Sequence, residues 1–222
     1  TAGILGGYNK LKISGSLASA EADSFQIGLY ATTQVNGLNL HLGTAIAHHD
    51  ISSSRRITDT ISTHANYKAH TAQIFGEAGY ELTYDQTKIE PYANLSYNYL
   101  STGSFVEQGA TGYGLIGRSS NSNLLLGGVG IRLSHELSLQ DEFKARLHGS
   151  AQWRYTAGDL TPSGAFAYLG GNNFESLGAP LARNAFSLAA GIDFDVNKDA
   201  KFSVSYVGDL ASRGNNHGVK AS

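Results

Sequence analysis

The chain predicts an all-β fold, an antiparallel transmembrane β-barrel of about ten strands. Three observations predict it. The first is the stretch from Phe143 to Tyr155, in which Phe143, Ala145, Leu147, Gly149, Ala151, Trp153 and Tyr155 share one face while Lys144, Arg146, His148, Ser150, Gln152 and Arg154 share the other. Strands of soluble sandwiches run about 5 or 6 residues, and this run is about twice as long. At roughly 3.3 Å per residue and a tilt of about 45°, it crosses a hydrocarbon layer about 30 Å thick. The second is that the same two-faced pattern recurs along the whole chain. The third is that the links between the runs alternate short and long, as the periplasmic turns and extracellular loops of outer-membrane barrels do.

Composition fits these strands. The 222 residues are 41% hydrophobic and 15% charged, with 27 glycines, 12 tyrosines and only 3 prolines, a mix suited to long strands and tight turns. No apolar run reaches the roughly 18 residues of a membrane helix, so any spanning element must be a strand. No charged-then-apolar signal peptide opens the chain at Thr1. The net charge of −2 gives no electrostatic reason to expect a nucleic-acid partner. Cysteine is absent, which removes disulfides and thiolate metal sites from consideration.

Taken in order, Gly3 to Leu11 is a first strand whose faces its glycines blur. Phe25 to Thr32 sets Phe25, Ile27, Leu29 and Ala31 against Gln26, Gly28, Tyr30 and Thr32. Leu38 to His48 sets Leu38, Leu40, Leu42, Thr44 and Ile46 against a weaker polar face of Asn39, His41, Gly43, Ala45 and Ala47. From Thr71 to Leu82, Ile74 and Tyr80 share the lipid-facing side, and Gln73, Glu77 and Glu81 the inner one. Ile89 to Tyr99 places Leu95 and Tyr97 outward, with Glu90, Tyr92 and Asn94 inward. Leu125 to Leu133 turns Val129 and Ile131 to lipid and Arg132 to the lumen. After the 143–155 strand, whose Leu147 and Trp153 face lipid, Phe186 to Val196 presents Phe186, Leu188 and Phe194 outward and Asp193 and Asp195 inward. Lys201 to Leu210 presents Phe202, Val204, Tyr206 and Leu210, and His217 to Ser222 begins a tenth strand.

The short links are Val35-Asn36-Gly37, Thr83 to Thr87, Ser138 to Glu142 and Asn197 to Ala200. The long ones are Lys12 to Asp23, roughly His49 to His70, Ser101 to Asn121 and Thr156 to Arg183, which puts Trp153 and Tyr155 at the outer interface where amphipathic rings collect. A soluble barrel with its apolar faces inward is the alternative, but about ten strands, several of about 11 to 13 residues, exceed what an eight-stranded ligand barrel needs.

The inner face carries Glu77, Glu81 and Glu90, then Arg132, Lys144, Arg146 and Arg154, then Asp193 and Asp195, with Gln73, Tyr92, Asn94, His148 and Gln152 among them as pore-lining residues. Unpaired and desolvated, such charges cost several kcal/mol each, so the lumen is wet or filled with polar groups. They line a polar channel, or they are cross-strand ion pairs that stiffen the wall, and the two roles are compatible. Glu77 and Glu81 could also serve as a carboxylate pair for acid and base work. His48-His49-Asp50, with His64 and His70, does not suggest a metal, because adjacent histidines on a strand face opposite ways, and a loop rim is expected there. Gly127-Gly128-Val129-Gly130 lacks a following helix and is no nucleotide loop; its glycines let rings such as Tyr92 lie flat over the backbone. His148 and Ser150 share a face, but no Gly-x-Ser-x-Gly elbow supports a hydrolase.

Several segments resemble one family in order along the chain. They are Phe75 to Tyr80 (FGEAGY), Ile89 to Tyr97 (IEPYANLSY), Trp153-Arg154-Tyr155 leading through Gly158-Asp159 to Pro162, Gly178 to Arg183 (GAPLAR), Ser205 to Leu210 (SYVGDL) and His217 to Ala221 (HGVKA). Together they resemble the translocator β-domain of monomeric autotransporters, the type V secretion systems. The resemblance implies a twelve-stranded barrel in a Gram-negative outer membrane, of which residues 1–222 would supply strands three to twelve as one translocator domain truncated at both ends. It implies that the protein is no enzyme and needs no cofactor or metal. It implies a polar lumen that holds the chain's own N-terminal passenger during and after export, assembly by the barrel-assembly machinery with periplasmic chaperones, and a monomer surrounded by outer-membrane lipid. Self-cleavage of a passenger by a lumen carboxylate occurs in some members, but the junction would precede Thr1. The alternatives left by the residues themselves are a passive porin or surface-loop adhesin, and an outer-membrane hydrolase using Ser150.

Overall fold

A computed structural model describes residues 1–109, 112–140, 143–168, 170–195 and 201–221, and their side chains apart from those of 138–140, 143, 144, 195 and 201. The strands are β1 (Ala2–Ser14), β2 (Ala18–Val35), β3 (Leu38–Arg56), β4 (Ser62–Tyr80), β5 (Leu82–Tyr84), β6 (Thr87–Thr102), β7 (Phe105–Val106), β8 (Leu115–Gly117), β9 (Ser120–Gln140), β10 (Phe143–Gly158), β11 (Ser163–Tyr168), β12 (Asn173–Leu177), β13 (Asn184–Asp195), β14 (Lys201–Ala211) and β15 (Gly214–Ala221). No helix occurs among the described residues.

An 11-stranded antiparallel sheet takes the long strands in the order β1-β2-β3-β4-β6-β9-β10-β13-β14-β15, with β5 paired to β6. Each neighbour in this path follows the last in chain order and runs antiparallel to it, with the links between β6 and β9 and between β10 and β13 carrying short strands of their own. At Asn36-Gly37 both central residues have positive φ, 49° and 84°, the twist that a two-residue hairpin requires and that these two residue types accept most readily. Register then carries one face across the sheet: Ile4 pairs with Leu29, Leu29 with Thr44, Thr44 with Ile74, Ile74 with Tyr97 and Tyr97 with Leu125. A slip of one residue would turn each of these rows over.

The apolar face is the exposed one. Ile74 is 60% exposed, Leu95 55%, Val129 54% and Trp153 46%, and Tyr97, Ile131, Leu147, Phe186, Leu188 and Tyr206 are also exposed. Phe194 and Val204 on the same face are half-buried. Among the described residues the buried hydrophobic ones are Ala65, Ala69, Tyr92, Ala145 and Ala185, too small a set for a water-soluble core. The polar face is concave. Neighbouring strands lie about 4.8 Å apart, yet polar side chains meet across an intervening strand: Asn39 Nδ2 on β3 donates to Glu90 Oε1 on β6 at 3.0 Å. An inward-facing apolar core is thereby excluded in favour of an outward apolar belt.

One interruption has a covalent cause. Pairing of β4 with β6 ends at Gly79 and Tyr92, and pairing of β5 with β6 begins at Leu82 and Ile89. Pro91 lies between and has no N–H to give. Glu81, expected inside a strand, falls in this gap, and its N–H bonds Gly37 O at 2.7 Å instead.

The long links differ from expectation. Residues 12–23 and 49–70 are mostly ladder, since β1 and β2 are joined by 15–17 and β3 and β4 by 57–61. The outward face turns polar there (Ser52, Ser54, His64 and Asn66), so the hydropathy pattern stops while the hydrogen bonding continues. The links 101–121 and 156–183 hold β7, β8, β11 and β12, which form a second sheet in the order β12-β11-β8-β7. Of the short links, Thr83 to Thr87 narrows to a turn at 85–86, while 141–142 and 196–200 lie outside the described residues.

This small sheet packs on the concave side of the β3–β4 extension. Phe105 stacks on Tyr67 with ring centroids 4.7 Å apart, and Phe166 and Phe174 continue the cluster. Thr63 is 0% exposed beneath it. Arg55 closes the contact with a two-pronged grip on Glu107, Nε to Oε1 at 3.1 Å and Nη2 to Oε2 at 2.5 Å. Burial pushes the Glu107 carboxyl up, but Arg55, the Leu115 amide and the Thr63 hydroxyl outweigh it and hold the group below the usual carboxylate range. A depressed carboxylate stabilises the fold above its ordinary pKa of about 4.3, and this contribution is lost as pH falls through the lower folded value. Arg55→Ala at pH 7 should therefore raise hydrogen exchange across 105–108 and 115–117 by about tenfold after correction for intrinsic rates, with the long strands unchanged, and in the wild type the same protection should fall as pH drops below the ordinary value of about 4.3.

Candidate functional site

The concave face gathers its charges around Arg132. Glu90 and Arg132 are cross-strand partners on β6 and β9, and Glu77 and Asn94 are partners on β4 and β6. Arg132 Nη2 lies 2.8 Å from Glu77 Oε1, reaching across β6, and Nη1 lies 3.4 Å from Glu90 Oε2. Tyr92, between them on β6, lies flat under the guanidinium, 3.7 Å from ring centroid to Arg132 Cζ. It can do so because residue 130 is glycine: a Cβ there would stand 2.7 Å from both Tyr92 Cζ and the Ala151 carbonyl. Asn94 donates to Glu77 at 3.4 Å, and Asn39 to Glu90. Two carboxylates thus share one guanidinium and two amides. Side-chain exposure is 38% for Arg132 and 19% for each glutamate, so the cluster is wetted rather than dry.

A second group lines β10 to β14. His148 Nδ1 lies 3.3 Å from Asp193 Oδ2, and Ser203 donates to Asp193 Oδ1 at 2.7 Å. Arg154 Nη2 stands 4.0 Å from Asp209 Oδ1, which also accepts from Ser187. His148 Nε2 lies over Gly191, and the serine on the carboxylate is Ser203, so Ser150, His148 and Asp193 do not form a relay. Glu81 turns to Lys88 at 3.1 Å and not to Glu77, which separates the supposed carboxylate pair. Gln152 packs over Gly128 beside Asn94. Gln73 sits on the concave face of β4 opposite Ala45 and Asn98. Arg146 faces Glu136 at 3.7 Å, both more than half exposed, at the short-link end of the wall. Lys144 and Asp195 are paired in the backbone, but their side chains lie outside the described residues.

The histidines expected on a loop rim are on strands. His48 and His70 are direct partners of β3 and β4 on the outward face, while His49 faces inward between Ser24 and Thr71, and His64 bridges Gln108. Gly127 to Gly130 lies within β9, with no helix after it. Sequence reasoning missed Asn39, Lys88, Glu136 and Asp209 as partners. Asn39 and Asp209 alternate correctly with their strands, and that pattern could have found them; that Arg132 would skip a strand to reach Glu77 could not be read from any pattern.

The Autotransporter beta-domain family model matches residues 1–207. The chain belongs to the autotransporter β-domain family. Two curated relatives from Serratia marcescens, each named extracellular serine protease, are 29% and 28% identical over 99% of this chain. The match covers 21% of each of them, so the chain spans about a fifth of their length, and the protease name belongs to those whole proteins. Among solved structures, the translocator domain of the autotransporter NalP from Neisseria meningitidis superimposes with TM-score 0.73 at 17% identity, covering 99% of this chain and 73% of that one. The β-domain of the Bordetella autotransporter BrkA gives 0.69 at 17% identity, covering 99% and 80%. The curved sheet is thus the wall of an autotransporter barrel in a Gram-negative outer membrane, and the concave face is its lumen.

Two stability measurements check the site. Arg132→Ala and Glu77→Gln, taken singly and together through urea unfolding in detergent, should show a coupling of about 1 kcal/mol that shrinks with salt. Gly130→Val should destabilise by about 1–3 kcal/mol, because Tyr92 and the backbone at Ala151 cannot both give way.

Proposed function

We propose that this autotransporter β-domain exports its own N-terminal passenger across the outer membrane and then anchors it, by conduction and not by catalysis. The observation that carries this is the lumen wall, whose described carboxylates are each met by a cation or a hydrogen-bonding side chain from a neighbouring strand. Glu77 and Glu90 share Arg132, Asp209 faces Arg154, and Asp193 accepts from Ser203 beside His148. A polypeptide passing such a wall meets hydrogen-bonding groups and water but no deep well of one sign, so it is solvated without being trapped.

In this reading Gln73, Glu77, Glu90, Tyr92, Asn94, Arg132, His148, Gln152, Arg154 and Asp193 line the path, with Lys144 and Asp195 continuing it and Glu81 and Arg146 at the short-link rim. Residues 1–222 act as one translocator domain, corresponding to strands three to twelve of a twelve-stranded barrel. Insertion uses the barrel-assembly machinery after delivery by periplasmic chaperones, and the barrel works as a monomer in lipid. An open porin is the second reading, and the aromatic sheet packed inside the long-link mouth speaks against it, since it narrows the lumen at that end.

Surface display tests the proposal. With an epitope placed ahead of the β-domain in the full-length protein, protease added to intact cells should remove the epitope while the barrel keeps its heat-modifiable migration. An epitope that stays protected in cells whose barrel is folded would leave a pore or an adhesin as the function.

A further inference from the structure

We propose that His48 and His70 form a two-histidine chelate for a first-row transition-metal ion such as Zn²⁺, on the outward face of the β3–β4 hairpin just above the apolar belt. The two residues are direct cross-strand partners. Their rings are 4.7 Å apart at an interplanar angle of 53°, and the Nδ1 atoms face one another at 3.3 Å. Zn–N bonds of about 2.0–2.1 Å at a tetrahedral angle place two ligand nitrogens about 3.3 Å apart, so the backbone register already sets the bite of the chelate.

Asp50 supplies the second feature. It lies two residues along β3 on the same face, and its Oδ1 stands 3.4 Å from the other ring nitrogen of His48, Nε2. A carboxylate there favours the tautomer with the proton on Nε2 and leaves the Nδ1 lone pair directed at His70, the arrangement common to metal-bound imidazoles. Without an ion, the pair is satisfied when His70 carries its proton on Nδ1 and donates it to His48 Nδ1; with both Nδ1 atoms unprotonated, the two lone pairs present the chelating edge.

The surroundings keep the site open. Phe25 flanks His48 on β2 and Ser101 flanks His70 on β6, and the row above holds Asp23, Asp50 and Lys68. His49 is occupied on the opposite face by Ser24 and Thr71. Among the described residues no third histidine or carboxylate converges with the pair, so water or an outside ligand fills the remaining positions and the ion exchanges freely. When bound, the ion staples β3 to β4 at the membrane surface, where the hairpin leaves the lipid.

Competition between the tag-free protein in detergent and a chromophoric chelator for Zn²⁺ tests this. One Zn²⁺ per chain is expected, with affinity lowered at least about tenfold by His48→Gln or His70→Gln and about tenfold by Asp50→Asn, while His49→Gln and His64→Gln leave it unchanged. Heat-modifiable migration of each variant shows that the barrel is folded. Absence of binding in the folded wild type, or binding that survives the double variant His48→Gln/His70→Gln, would overturn the proposal and leave the pair as imidazoles sharing a proton.

Discussion

The constraint on which the rest depends is that a backbone polar group in hydrocarbon has no water to turn to. Every strand inside the membrane must find its partners in its neighbours, which forces an antiparallel ladder in chain order. Register follows from the ladder, and the two faces follow from register. Once Ile74 points to lipid, its partners Thr44 and Tyr97 must do the same. The ladder lacks a donor at Pro91, at the short-link end, where Glu81 turns its N–H to Gly37 and nearby Lys88 and Glu81 pair in a wetter setting.

The same constraint places polar chemistry on the concave side, and curvature decides what those side chains do. On a flat sheet Arg132 would meet Glu90 and no farther residue. On the concave face it reaches Glu77 as well, two strands away, with Tyr92 as the floor beneath it. The cluster binds β4, β6 and β9 together through their side chains in addition to the backbone. Because it is partly wetted, its worth per pair is modest, and its effect is chiefly to fix which groups the concave face presents.

The period of two made the membrane strands legible, because in lipid the hydropathy contrast between faces is large. Phe143 to Tyr155 and Ile89 to Tyr99 were readable in full for that reason. Above the membrane the contrast disappears. Ser52, Ser54, His64 and Asn66 face water on one side while Ala65 and Tyr67 face the small sheet on the other, and such a strand reads as a loop. The strands β7, β8, β11 and β12 are too short to show any period, and Arg55 and Glu107 stand 52 positions apart in the chain. Which faces were polar could be read from residue order; which charges met across an intervening strand depended on curvature that residue order does not encode.

Where the β3–β4 hairpin leaves the lipid, the two faces of the wall part company in function. Inside, Arg55 grips Glu107, and Tyr67 carries the aromatic cluster of the small sheet. Outside, the same two strands present His48 and His70 to the surface at the same spacing that the ladder imposes on any cross-strand pair. An ion held outside would bear on the strands from which the inner sheet is anchored, since His70 and Tyr67 are three residues apart on β4 and Asp50 and Arg55 five apart on β3. Both features thus rest on one hairpin, whose backbone pairing runs unbroken from Leu38 and Tyr80 to Arg56 and Ser62.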